Sequence, residues 1–276
     1  MTETTAYRPA LEKILRLLRN GDEATTPPSP PREVVHGEEL VQSRAYQLGQ
    51  LARERCREEI DALLARAQQL HRGRQQQGLP VFALCGPGRC GKDRSAEMLS
   101  QLSGEKLCFG GWSSSKVVLP WIAADLGVSP EQAYQRRHES AAQRVFWYSW
   151  CCGLRAREPW LLVELCLARS DLVVGCRSHV ELLAGRQRGL VDLWLWLDRP
   201  QAPPDPTLEY AAEDCDLVVP NGSSRSALWD RWRSFLRSYG LLAPMWAGDS
   251  LSPRPEPAVD PLTSTLSQEK THDSAS

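Results

Sequence analysis

The chain has almost no excess of charge of either sign: over 276 residues its formal net charge is −1. Charge alone therefore gives no case for holding nucleic acid or an anionic membrane surface, and no extended basic patch is interleaved with aromatic residues. There is no C-x-x-C pair and no cysteine–histidine spacing that suits zinc. The nine cysteines (Cys56, Cys85, Cys90, Cys108, Cys151, Cys152, Cys166, Cys176 and Cys215) are odd in number and scattered, which fits a reducing compartment better than a disulfide framework. No apolar run is longer than a strand, and the opening Met-Thr-Glu-Thr-Thr lacks the basic-then-apolar pattern of a leader, so a soluble, cytoplasmic protein is expected. Internal repeats are absent. So is an apolar strand ending in the paired acidic residues of motor-type ATPases, which sets aside an ATPase coupled to nucleic acid.

Against these absences stands one informative segment, Val81-Phe-Ala-Leu-Cys-Gly86-Pro-Gly-Arg-Cys-Gly91-Lys92-Asp93. Val81 to Leu84 is an apolar run suited to a central parallel strand, and Ala96, Leu99 and Leu102 recur at helical spacing after it. Between them, Gly86-x-x-x-x-Gly91-Lys92 has the Walker A frame of a P-loop. In that frame successive backbone N–H groups and a helix N-terminus surround phosphate oxygens, while the lysine neutralises their charge. The expected ATP site therefore comprises Gly86, Pro87, Gly88, Arg89, Cys90, Gly91, Lys92, Asp93 and Arg94. Asp93 stands where a Ser or Thr hydroxyl normally meets Mg²⁺, so Asp93 is the expected metal contact, direct or through water. Cys90 is the candidate reactive thiol, because it lies next to a helix N-terminus; the other cysteines fall mostly in apolar runs and read as core.

The pattern along the chain divides it into residues 1–37 (a short helix at 7–19 and a Pro-rich linker), 38–78, 79–243 and a disordered tail at 244–276. One long amphipathic helix is expected over 38–77, with Val41, Ala45, Leu48, Ala52, Cys56, Ile60, Leu63, Ala67 and Leu70 in a stripe. That stripe needs a cover: the core of this chain, its own first helix, or a second copy or other partner. Strands are expected at 81–84, 106–111, 172–176, 191–197 and 216–220, with helices at 94–102, 130–152, 159–169, 179–186 and 227–238. Alternation of this kind predicts an α/β fold, a three-layer sandwich around a five-stranded parallel sheet, with an N-terminal helical extension. Its ligand lies beyond the carboxyl ends of the strands, where Gly86, Gly111, Arg177, Arg199 and Asn221 fall.

Phosphoryl transfer depends on positioning and charge neutralisation, so cations around the acceptor are the second thing to seek. Lys116 follows the expected second strand, Arg136, Arg137 and Arg144 lie on a helix, Arg155 and Arg157 precede Glu158-Pro159, and Arg177 ends a strand. A charged residue on a helix is ordinarily solvated surface, which makes Arg177 the stronger case. The ten tryptophans are ordinarily core at such spacings, and Trp112 and Trp121 are the candidates for base stacking.

The order of these motifs from about Val81 to Tyr239 resembles the bacteriophage-type deoxynucleoside monophosphate kinases and the animal-type phosphomevalonate kinases, which are adenylate-kinase-like P-loop kinases. Gly91-Lys92-Asp93 is similar to their Gly-Lys-Asp, and Arg155-Ala-Arg157-Glu-Pro159 resembles their Arg-x-x-Asp-Pro. Leu172-Val-Val-Gly175-Cys-Arg177 resembles a strand ending in Asp-x-Arg with a later Glu, here Glu181. Gly189 to Pro200 resembles a strand ending in Arg-Pro, and Asp216 to Gly222 their last strand with its Asn-Gly turn. The resemblance implies an ATP-dependent, Mg²⁺-assisted kinase acting on a phosphorylated small molecule, most simply a (deoxy)nucleoside monophosphate. Catalysis would fall to Lys92, Arg157 and Arg177, acceptor binding to Lys116, Arg137, Arg144, Arg155, Arg157 and Arg177, and a place near the adenine to Asn221. Two departures bear on this: Gly175 replaces the family's Asp, leaving Glu164, Asp171 or Glu181 to substitute, and residues 201–215, where such kinases carry a lid, hold no arginine. They motivate the alternative of a nucleotide-binding regulatory or scaffold protein with weak or no kinase activity.

Overall fold

The computed structural model describes residues 32–104, 113–137, 139–205 and 207–246. Four strands, β1 (Phe82–Cys85), β2 (Leu172–Val174), β3 (Leu193–Asp198) and β4 (Leu217–Pro220), form a parallel sheet in the order β2-β1-β3-β4. Around it lie α1 (Arg32–Arg55), α2 (Arg57–Gln77), α3 (Lys92–Ser103), α4 (Ser114–Leu126), α5 (Pro130–Arg136), α6 (Ala141–Leu154), α7 (Leu161–Leu167), α8 (His179–Gln187) and α9 (Arg225–Ser238). The chain runs from β1 to β2 on one side and then to β3 on the other. The loop after β1 therefore sits at the point where the winding reverses, the usual ligand edge of such a sheet.

Both faces of the sheet are covered, as alternation along β1 requires. Phe82 and Leu84 point into a cluster with Leu99 of α3 and Trp232 of α9, whereas Ala83 and Cys85 point into a cluster with Trp150 of α6 and Leu165 of α7. The arrangement is that of a three-layer α/β fold. The described residues form four strands where five were expected. The missing one, at 106–111, lies outside the described residues, and Ser113 immediately after it makes an isolated parallel bridge with Val174 of β2.

Three element boundaries differ from expectation. The long helix at 38–77 is two helices, interrupted at Cys56, whose backbone (φ −102°, ψ 22°) leaves the helical region. The helix at 130–152 is also two, because Ser129 and Ser140 each open a new helix by accepting a backbone N–H three residues on. Residues 114–126 form α4 although Val117, Val118 and Pro120 disfavour a helix there; the Ser113 cap and burial of Val118 and Ile122 prevail. At the other end, order extends past 243: Pro244–Trp246 is a 3₁₀ turn whose Trp246 indole donates to Gln101 O at 3.1 Å. The helix expected at 7–19 and residues 247–276 lie outside the described residues.

The apolar stripe of α1 and α2 is covered by this chain itself. Val41, Ala45, Ala52, Ile60 and Ala67 are buried in the same cluster as Trp150 and Leu165. Gly49 and Gly153 let α1 and α6 touch backbone to backbone. No helix among the described residues is long and apolar enough to cross a membrane.

Candidate functional site

The loop between β1 and α3 turns through three left-handed residues, Gly86 (φ 125°), Arg89 (φ 61°) and Gly91 (φ 100°). A Cβ on Gly86 would lie 2.8 Å from Leu197 O, and one on Gly91 2.7 Å from Asn221 Nδ2, so both positions need glycine for closeness as well as for φ. Asn221 donates to Cys90 O at 2.7 Å, and Arg199 to Arg89 O at 3.2 Å. Asn221 is thus a brace for this glycine-rich loop and does not line the cavity in front of it. Cys90 is fully buried behind the loop and burial raises its pKa, which removes it as a reactive thiol.

Lys92 opens α3 and folds back over the loop, donating to Gly86 O at 2.8 Å and Pro87 O at 2.6 Å. Burial lowers the pKa of its ammonium, and the Arg177 charge adds to that. A cavity of about 260 Å³ opens in front. Gly88, Arg89, Gly91, Lys92, Asp93, Arg94, Arg137, Arg144, Arg155 and Arg177 all line it. Ten residues picked out from the sequence thus share one concavity, although they come from five places in the chain.

The four arginines are held differently. Arg137 lies 3.5 Å above the Tyr134 ring. Arg144 Nε and Trp147 Nε1 are buried donors without a hydrogen-bond partner among the described residues, and both side chains line the cavity. Arg155 is buried, with its Nε 3.6 Å from Glu181 Oε1; burial alone would lower its pKa, but Glu181 and its other neighbours more than offset this and hold the guanidinium charged. Arg177 pairs with Asp205 and donates to Thr207 Oγ1 at 2.9 Å.

The carboxylate question resolves by position. Asp171 forms a buried ion pair with Arg74 at the start of β2, and Glu164 pairs with Arg188 at 2.9 Å; neither lines the cavity. Glu181 does, and its Oε2 also accepts from Ser178 N at 3.2 Å as part of the α8 capping box. Gly175 has φ 87°, so an acidic side chain at that point would be strained.

Three expected residues lie elsewhere. Arg157 is 87% exposed and faces Glu54 of α1 at 3.5 Å, so it is corrected from a catalytic position to a surface one. Lys116 lies in the first turn of α4 without lining the cavity, whereas Ser113, Ser114 and Ser115 beside it do. Trp121 is buried and donates to Glu59 Oε2 at 2.8 Å, which leaves no face for a base; Trp112 lies outside the described residues. The residues missed from sequence are those three serines, Trp147, Tyr148, Asp205 and Thr207. The Ser113-Ser-Ser115 run was the available signal, since serines before a helix cap it and face whatever its N-terminus faces.

The donor set fits a polyphosphate: glycine backbone amides, a helix N-terminus, a lysine and guanidinium groups share one cavity. For a metal the fit is thinner. Among the described residues no group of three or more His, Cys, Asp or Glu side chains is placed to hold an ion, and Asp93 is one carboxylate lining the cavity. Comparison with protein-family models, with curated protein sequences and with solved structures finds no match to this chain.

Proposed function

We propose that this protein is an ATP-dependent small-molecule kinase that transfers the γ-phosphoryl group to a phosphorylated acceptor. The observation that carries this reading is that a glycine-rich loop with Lys92 shares one cavity with Arg137, Arg144, Arg155 and Arg177. Lys92 and four guanidinium groups around one cavity suit two phosphate groups held end to end, and this positioning is most of what phosphoryl transfer requires. A nucleoside monophosphate is the first acceptor to examine and phosphomevalonate the second, in keeping with the resemblance noted from sequence.

Bound ATP supplies the phosphoryl group, and Mg²⁺ in such sites offsets phosphate charge through one or two carboxylates and water. On this protein Asp93 would be the carboxylate nearest to that task. Lys92 and the loop amides hold the donor, Arg177 and Arg155 neutralise charge on the phosphoryl group in transit, and Arg144 with the Trp147 indole N–H orients the acceptor. Glu181 positions Arg155.

The test is a coupled ADP-release assay with Mg²⁺-ATP against nucleoside and deoxynucleoside monophosphates and phosphomevalonate. Acceptor-dependent turnover should fall about 100-fold or more in Lys92→Ala, in line with loss of a single preorganised charge-stabilising donor. Undiminished turnover in that variant would refute the assignment. Gly175 favours one other reading, a nucleotide-binding regulatory protein; ATP binding without acceptor-dependent ADP release from any member of the panel is its signature.

A further inference from the structure

The phosphate loop already holds an anion of its own. Gly88 N–H, one of the amides that would face phosphate, donates to Asp205 Oδ2 at 2.7 Å. A Cβ built on Gly88 would lie 2.9 Å from that oxygen, so the carboxylate sits directly on the loop. The Asp205 side chain is 2% exposed, and the same oxygen pairs with Arg177. Its other oxygen accepts from Thr207 N at 3.2 Å and Thr207 Oγ1 at 2.7 Å. With Lys92 turned onto Gly86 O and Pro87 O, three groups expected to meet phosphate, namely an amide, an ammonium and a guanidinium, are satisfied from within the chain.

We propose that Asp205 is an internal counter-anion that closes the empty phosphate loop, and that donor phosphate must displace it, which frees Arg177 for the acceptor side. The inference rests on the phosphate-loop reading above. Like charges cannot share this position, because a carboxylate and a polyphosphate seek the same Gly88 amide and the same guanidinium. The surrounding chain allows the exchange. Beyond Asp205 the β3–β4 connection is anchored, with Glu209 N donating to Arg177 O at 2.9 Å and Tyr210 Oη to Cys176 O at 2.7 Å. Before it, Gln201, Pro203 and Pro204 are exposed. Asp205 thus lies between an exposed stretch of the connection and its anchored far end. In energetic terms the apparent dissociation constant for ATP is the intrinsic one divided by the fraction of molecules with an open loop.

The experiment is calorimetric titration of the full chain with ATP, without acceptor, in EDTA and again with Mg²⁺, for the wild type, Asp205→Asn, Asp205→Ala and Lys92→Ala. Both Asp205 variants should bind ATP more tightly, by about 10-fold, in EDTA as well as in Mg²⁺. Affinity unchanged or weakened at 205, with binding lost in Lys92→Ala, overturns the counter-anion while leaving the phosphate-loop reading intact. Weakening confined to Mg²⁺ also overturns it, and makes Asp205 a metal contact. Absence of ATP binding in every protein, Asp205→Ala included, removes the phosphate-loop reading and this inference together. If thermal melts show that substitution at 205 prevents folding, Thr207→Val takes its place, since it loosens the same carboxylate without changing charge. Tighter ATP binding by a smaller factor supports the proposal there, and unchanged binding overturns it.

Discussion

Gly175 and Glu181 show how one missing side chain changes what its neighbours must do. Gly175 leaves β2 at φ 87°, and its amide donates to Leu84 O at 3.4 Å while Ser114 Oγ reaches its carbonyl at 3.3 Å. With no carboxylate available there, the buried acid on the cavity wall is Glu181, whose two oxygens divide between Arg155 and the backbone of Arg177 and Ser178. Gly175→Ala should therefore lower stability by about 1 kcal/mol through backbone strain alone, since a built Cβ would meet only ordinary contacts at 3.7 Å and beyond. Urea denaturation reads this directly, and an unchanged midpoint would show that the left-handed backbone is not used. The Gly175 departure was visible in the sequence, but its consequence was not. Which of three acids reaches the cavity depends on the strand end and helix that carry each, and Asp171 and Glu164 are taken by Arg74 and Arg188.

Among the elements, the contact of α1 with α6 matters most for the site, because α6 carries Arg144, Trp147 and Tyr148. The two helices meet at paired glycines: a Cβ on Gly49 would fall 2.0 Å from Trp150 O, and one on Gly153 1.9 Å from Tyr46 O. No side-chain rotation relieves a clash with backbone, so the helices must separate. Gly49→Ala should cost about 3 kcal/mol, the upper end for overpacking, and should also weaken acceptor-dependent turnover by moving α6. Thermal melts and the ADP-release assay measure the two effects, and a Tm drop of less than a degree would argue that α1 does not pack this way. Of the helix starts preceded by serine, those at 130 and 179 were expected, whereas those after Ser113 and Ser140 were not. Nor was the break at Cys56, because the apolar stripe continues through it in register and only the backbone departs.

Taken as one body, the protein treats α1 and α2 as part of its core. Arg74 near the end of α2 pairs with Asp171 at the start of β2 and donates to Leu167 O at 3.1 Å and Ser170 O at 3.0 Å, all in the interior. Arg53 reaches Glu158 at 2.9 Å, and Arg55 reaches the buried Asp125 at 2.7 Å. Arg74→Ala leaves a buried carboxylate and two carbonyls without their donor and should destabilise by about 3–5 kcal/mol. Removal of residues 1–78 should yield a chain that is insoluble or melts early, rather than a folded α/β core lacking a partner surface. Circular dichroism of the truncated chain decides this, and a cooperative transition near the wild-type temperature would return α1 and α2 to the role of an appended module.

The strand, the glycine-rich turn and the helix over 81–103 were legible because that pattern is local: glycines, a lysine and an apolar run act within thirteen consecutive residues, and their backbone needs are met by neighbours in sequence. The alternation of strands and helices was legible for the same reason, since side-chain period reports which faces are buried. Long-range placement was not. Arg155 and Arg157 sit two residues apart in one motif, yet one is buried against Glu181 and the other is exposed beside Glu54. Asp205 carries no signal of its own among prolines, and only the folding of the β3–β4 connection brings it onto Gly88. Whether a charged side chain is a ligand, a brace or solvated surface depends on which distant groups share its low-dielectric surroundings, and tertiary packing alone settles that.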